Sequence, residues 1–248
     1  MKEVFLGSEE ELFFMGAFDL TRLIICSVLI GAFIIYFLIK LFFKKNPFTT
    51  KFIANTAIFA ALSIILYIVP YFQFPLFFMP SFLELHFDEI PSLIAGFAYG
   101  PLSGFITVLV KTLVKLPMTK TLGVGELADF IYSIAFVIPA SLIYKKRRTF
   151  KGACLGLTLG VVFQLVASSF ITSFLILDFY ISVMGLSKEI IIAMCKAANP
   201  KVTSLGWTFF FYVALPFNMI KDLVVGLLTI LLYKKLHVLI DKIEYKKN

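Results

Sequence analysis

The sequence predicts an all-α polytopic membrane protein, on three observations. Of its 248 residues 60% are hydrophobic, and mean hydropathy is +0.96. The apolar residues form long blocks, with the charged ones gathered in short stretches between them. Those blocks suit helices of about 20 residues, the length that crosses a hydrocarbon core of about 30 Å. No hydrophilic stretch is long enough to form a soluble nucleotide-binding or catalytic domain.

The predicted helices run over 17–43, 50–69, 87–100, 101–116, 125–145, 151–183 and 207–235. The first follows an acidic segment, "KEVFLGSEEEL", which lacks the basic region of a signal peptide, and is read as a retained span. The second carries Ala57 and Ala61 four residues apart. Small residues at that spacing let another helix approach closely, for internal packing or for docking a partner membrane protein. The third and fourth are short and flank Tyr99, Gly100 and Pro101, which predicts a helical hairpin. Pro101 suits a helix start, where its missing N–H costs nothing.

The fifth helix opens with "GVGELADF". Glu126 and Asp129 there either complement the positive end of the helix dipole or, for Asp129, line a pocket. The sixth offers Gln164, Ser168, Ser169, Thr172 and Ser173, residue types that commonly pack membrane helices together. The last contains "LPFNMIKDL", with Asn218 and Lys221 three residues apart on one face. Asp222 points about 100° away from Lys221 and is no obvious partner for it.

Charge sets the orientation. The dense basic segments are 44–51, 145–151 and 233–248. Seven spans put all of them on one side, which the positive-inside rule makes the cytoplasm. The expected location is the cell membrane, with the N-terminus outside and the C-terminus cytoplasmic. The outer connections are then 70–89, 116–124 and 184–206. The first is apolar and broken by Pro70, Pro75 and Pro80; it forms either a lid over a pocket or a loop in the lipid interface.

The net charge of +8 is topogenic on this layout and calls for no nucleic acid. Cys26, Cys154 and Cys195 have no metal-ligand spacing, so no metal is expected. There is no Walker A, HExxH or GxSxG motif, hence no ATP motor on this chain and no catalytic residue to assign. The informative residues are polar ones inside spans, which are expensive there and commonly functional. Lys111 lies deep and needs a partner, whereas Lys115 can snorkel. Asn218 and Lys221 either clamp helices together, for example to Asp129 or Glu126, or face a ligand. An amide that donates and accepts at once suits a heterocycle with imide edges.

The runs "FLELHFDEIPSLIAGFAYGPLSGFITVLVKTLVK", "GVGELADFIYSIAFVIPASLIYKKRRTFKGACLG" and "ALPFNMIKDLVVG" resemble the substrate-binding S components of energy-coupling factor (ECF) vitamin transporters. The similarity is greatest to the riboflavin-specific subfamily and covers about residues 50–235. It implies a six-helix S-component core plus one extra N-terminal transmembrane helix, divided as 1–46 and 47–248. It further implies a vitamin pocket open to the outside, a transmembrane coupling subunit and two cytoplasmic ABC ATPases as partners, and no enzyme activity or cofactor on this chain. The family's "PFN..K" signature falls on Pro216, Phe217, Asn218 and Lys221, so Asn218 and Lys221 would contact a flavin. Lys111, Asp129 and Thr172 would join the pocket, and Phe82, Leu83 and Leu85 would wrap the ligand from the outer loop. Ala57 and Ala61 match the small residues that serve the coupling interface.

The chain departs from the family's usual pattern at several points. His86 and Glu89 stand at the usual acid positions, Asp129 replaces an amide, Thr172 replaces a pocket Asn and Asp178 a Pro. An S component for another vitamin or for a flavin nucleotide is the alternative. An integral membrane enzyme using Lys111, Glu126, Asp129 or Lys221 is a further one, and a structural scaffold a third.

Overall fold

The computed structural model describes residues 48–76, 79–80, 83–119 and 121–245. The span expected at 17–43 lies outside these residues. Helix α1 is Thr50–Ile68, α2 Glu89–Tyr99, α3 Pro101–Lys115 and α4 Val124–Lys146. Helix α5 starts as Phe150–Ile171, passes through a π turn at Thr172–Ile176 and ends as Leu177–Ser182. A short helix, α6, is Lys188–Ala198. Helix α7 starts as Trp207–Phe209, passes a π turn at Phe210–Ala214 and continues as Leu215–Tyr245. Strands β1 (Phe74–Pro75) and β2 (Glu84–Leu85) pair antiparallel, Phe74 opposite Leu85.

Hydroxyls start the helices that begin on the basic side. Thr49 accepts from the Phe52 N–H at 3.2 Å and Thr149 from the Gly152 N–H at 3.1 Å, as good N-caps do. Five described helices are long and apolar enough to cross a membrane: α1, α3, α4, α5 and α7. Helix α2 is not, since 11 residues rise only about 16 Å. It occupies the interior instead. Glu89 through Phe97 are all buried, and α1, α3, α4 and α7 surround them. Gly100, at φ 94°, reverses the chain into α3, so the predicted hairpin is present. That backbone conformation is open to glycine and costly to most other residues.

Helices α4 and α5 make the most extensive contact, along a seam of small residues. A Cβ on Gly156 would meet the Ala140 carbonyl oxygen at 2.6 Å, and one on Gly160 the Phe136 carbonyl oxygen at 2.7 Å. Without aqueous solvent between helices, such close backbone approach is what holds them. Gly160→Leu is therefore expected to push α4 and α5 apart and to destabilise the fold by about 1–3 kcal/mol or more. A lower thermal midpoint in detergent, with Val162→Leu on the exposed face of the same helix as the control, checks this.

Helix α6 falls in the segment 184–206 that the sequence presents as a loop. It forms because Ile191 and Cys195, four residues apart, bury against Val202, Phe209 and Val213. The Ser187 hydroxyl donates to Glu189 Oε2 at 2.6 Å at its start. Its lysines conceal this apolar face: Lys188 and Lys196 are exposed.

Candidate ligand-binding site

Two of the voids in the described surface bear on function. The larger, about 490 Å³, is an apolar groove along α1 and α3 lined by Phe52, Ala57, Ala61, Ile64, Ile106 and Val110. The smaller, about 230 Å³, lies where α1, α4, α5, α7 and the hairpin converge, and the polar chemistry is there. Tyr67 comes from α1, and Leu83, Glu84 and His86 from the outer hairpin. Ala128, Asp129 and Tyr132 come from α4, Thr172, Ile176 and Tyr180 from α5, and Phe217, Asn218 and Lys221 from α7.

Both π turns sit at this level. In α7 the cause is visible in sequence: Pro216 has no N–H to close an α-helical bond to Tyr212. The Leu215 N–H bonds to Phe210 O instead, a wider turn. In α5 the Leu177 N–H bonds to Thr172 O. Thr172 and Ile176, the first and last residues of this turn, both line the cavity. Turns of this kind recur at functional sites.

A charge network underlies the cavity. Lys111 is 0% exposed and donates to the Asp88 carboxylate, to Asp129 Oδ2 at 3.0 Å and to Ser133 Oγ at 2.8 Å. All of its ammonium protons are used, and its charge also lies 4.9 Å from the Tyr67 ring centroid. Lys221 is paired with Glu89 Oε1 at 3.4 Å. The same oxygen accepts from Gln164 Nε2 at 2.8 Å and Ser133 Oγ at 3.4 Å. Lys221 thus retains donor capacity beside the cavity. Asn218 Nδ2 donates to Ser169 Oγ at 3.2 Å, and Thr172 Oγ1 shares a hydrogen bond with Tyr132 OH at 3.0 Å.

Of the residues singled out from sequence, Leu83, Asp129, Thr172, Asn218 and Lys221 meet at this cavity. Lys111 stands behind it, bonded to Asp129. Leu85 is buried beside it without lining it, and Phe82 lies outside the described residues. Glu126 accepts from Thr119 at 2.6 Å and Thr121 at 3.0 Å, so it ties down the turn before α4. Lys221 pairs with Glu89 and not with the Asp129 or Glu126 suggested by sequence. Asp88, Gln164, Tyr67 and Tyr132 were not singled out for the site. Their signal is a polar or aromatic residue in an apolar run, which does not reveal what it faces.

His86 sits in the hairpin outside the spans. Burial holds its imidazole below the ordinary value; Lys221 adds to this, while Asp88, Asp129 and Glu84 oppose it. His86 is therefore neutral at pH 7. Above its ordinary value of about 6.5 both folded and unfolded forms are neutral and there is no cost. As pH falls below that, the unfolded form takes up the proton first, and stability is lost. His86→Gln is expected to flatten the decline in thermal midpoint between pH 7 and pH 5.5, as scanning calorimetry can measure.

Residues 51–233 match the family model described as ECF transporter, substrate-specific component. Riboflavin transporter RibU of Staphylococcus aureus (strain TCH60) is 32% identical over 175 residues, 71% of this chain and 86% of that protein. Riboflavin transporter FmnP of Bacillus subtilis (strain 168) is 27% identical over 187 residues, 74% of this chain and 92% of that protein. A solved structure reported as "Structure and mechanism of the S component of a bacterial ECF transporter" superposes with a TM-score of 0.58 at 28% identity. It covers 76% of this chain and 96% of its own.

Proposed function

The chain belongs to the family of ECF transporter substrate-specific components, and from that premise we propose that it binds riboflavin at the outer end of the bundle for uptake across the membrane. It is a multi-pass membrane protein of a transporter family. One observation carries the ligand: Asn218 and Lys221 converge, with polar capacity to spare, on a cavity walled by Tyr67, Tyr132, Ile176 and Phe217. Aromatic and aliphatic walls suit a flat tricyclic ring, and the amide and ammonium suit its carbonyl and imide edge. The relatives named as riboflavin transporters support the same substrate.

The cavity, about 230 Å³, is below the usual range of ligand sites, about 300–1,000 Å³. Leu83, Glu84 and His86 wall it from the hairpin, so the hairpin swings outward to admit the ring. Asn218, Lys221, Thr172 and Asp129 contact the flavin or the shell around it, and Lys111 holds Asp129 in place. Phe82, Leu83 and Leu85 belong to the covering loop. No residue performs covalent chemistry, and the flavin is cargo.

Transport requires the other subunits of an ECF transporter, which we take to be a transmembrane coupling protein and two cytoplasmic ATPases. Ala57 and Ala61 support the docking role, since both are exposed and line the apolar groove on α1. The N-terminus is outside, the C-terminus cytoplasmic, and residues 1–46 extend a membrane domain of 47–248. Titration of the purified protein with riboflavin tests the substrate. Saturable quenching of flavin fluorescence is expected. No quenching, with tight binding of a different vitamin, would transfer the assignment to that vitamin; preference for the phosphorylated flavin would make the nucleotide the cargo.

A further inference from the structure

The network behind the cavity holds more acid than base. Lys111 and Lys221 are its cations; Asp88, Glu89, Asp129 and Asp222 are its carboxyl groups. Lys111 serves Asp88 and Asp129, and Lys221 serves Glu89. Asp222 is left over. It is 0% exposed, and neither of its oxygens has a hydrogen-bond partner among the described residues. It lies one turn below Asn218 on α7, within electrostatic reach of Glu89 and Lys221. Unfilled buried oxygens also stand on the neighbouring elements: Glu89 Oε2 on α2, and Gln164 Oε1 and Ser168 Oγ on α5.

A bare carboxylate there would carry its desolvation cost with no donor to offset it. A cation must supply the balance. Among the described residues no group of three or more His, Cys, Asp or Glu is placed to hold a metal ion. A proton needs no coordination shell. Bound to Asp222, it neutralises the surplus charge and creates the donor that this oxygen-rich pocket lacks.

We infer that Asp222 and Glu89 form a proton-binding site behind the ligand cavity, and that ligand occupancy tunes it through Lys221. The second half rests on the proposed flavin site; the first does not. A ligand oxygen that draws the Lys221 ammonium toward the cavity weakens its pair with Glu89. The carboxyl pair then loses its nearest cation and takes a proton from solvent onto a carboxylate oxygen. Ligand release returns the ammonium to Glu89, and that proton leaves. The other ionisable groups facing this region are Asp88 of the α2 entry, Lys111 of α3, Asp129 and Tyr132 of α4, Tyr67 of α1, and Glu84 and His86 of the hairpin. His86 is neutral at pH 8 and does not take part there.

Infrared spectra of the ligand-free protein at pH 8 test the site itself. A protonated-carboxyl C=O stretch, shifted in D₂O and lost in Asp222→Asn, is expected. Absence of the band, or its persistence in Asp222→Asn, overturns the assignment. Should the Asn variant not fold, Asp222→Glu must move the band, and an unmoved band overturns it equally. Titration calorimetry with riboflavin at pH 8, in buffers of different ionisation enthalpy, tests the linkage. Net proton uptake on binding is expected in the wild type and none in Glu89→Gln, which removes the carboxylate that loses the Lys221 ammonium. Zero uptake in the wild type overturns the linkage. So does an affinity that follows Na⁺ at constant ionic strength, which would make the bound cation sodium. A chain that binds no riboflavin sinks the flavin proposal and leaves the infrared result to decide the proton site alone.

Discussion

Lys111→Met is expected to cost the folded protein about 3–5 kcal/mol, the usual penalty for removing one partner of a buried charge pair. The effect is large because one ammonium serves Asp88 and Asp129 together, and its removal strands both. Asp88 precedes the interior helix α2, and Asp129 lies in the second turn of α4. The loss therefore loosens the outer ends of two helices as well as the cavity floor. Thermal unfolding in detergent measures it. Lys111→Met combined with Asp129→Asn should recover part of the loss, because one stranded charge has been removed. A midpoint unchanged from wild type in the single variant would mean that the network does not support the fold.

Lys221→Met should act on the ligand more than on the fold. Its pair with Glu89 is longer, at 3.4 Å, and Glu89 keeps Gln164 and Ser133 as donors. A hydrogen bond to a charged donor is worth about 1.5–3 kcal/mol, so riboflavin affinity should fall by about tenfold to a hundredfold or more. Asn218→Ala should also weaken binding, by up to about tenfold for a neutral bond of 0.5–1.5 kcal/mol. Fluorescence-quenching titrations of folded variants give both numbers. Normal riboflavin binding in either variant removes that residue from the site. Failure of Lys221→Met to fold would identify the lysine as a clamp between α7 and α2.

Much of the fold is written in one-dimensional features. Length and hydropathy locate α1, α3, α4, α5 and α7, and Gly100–Pro101 marks the turn between α2 and α3. The expense of charge in an apolar span singles out Lys111 and Lys221. The partners are less legible. Glu89 and Lys221 are 132 positions apart and Gln164 and Glu89 are 75 apart; nothing local in either segment names the other. Asp222 reads as lying off the Lys221 face, yet both are buried, because α7 is enclosed over more than one stripe where it meets α2 and α5. Helix α6 escapes notice for a different reason. It is 11 residues long, too short for a span, and its helical pattern depends on Ile191 and Cys195 finding a surface that belongs to α5 and α7. The glycine seam of α5 was legible in principle, since Gly152, Gly156 and Gly160 repeat at four-residue spacing.

The two π turns have a consequence for how this pocket can change over evolutionary time. Each corresponds to one residue more than an α-helix would need over the same stretch. Deleting one residue within Thr172–Ile176 or Phe210–Ala214 would close the wide turn to α geometry and leave the parts of the helix on either side in phase. The cytoplasmic halves of α5 and α7, with the glycine seam, would keep their register. Each turn thus absorbs a change in residue number locally, and the side chains it re-aims are its own, Thr172 and Ile176 among them. Single-codon insertions and deletions at the two turns give the lineage a way to present a new set of side chains to a new cargo while the packing below is inherited unchanged.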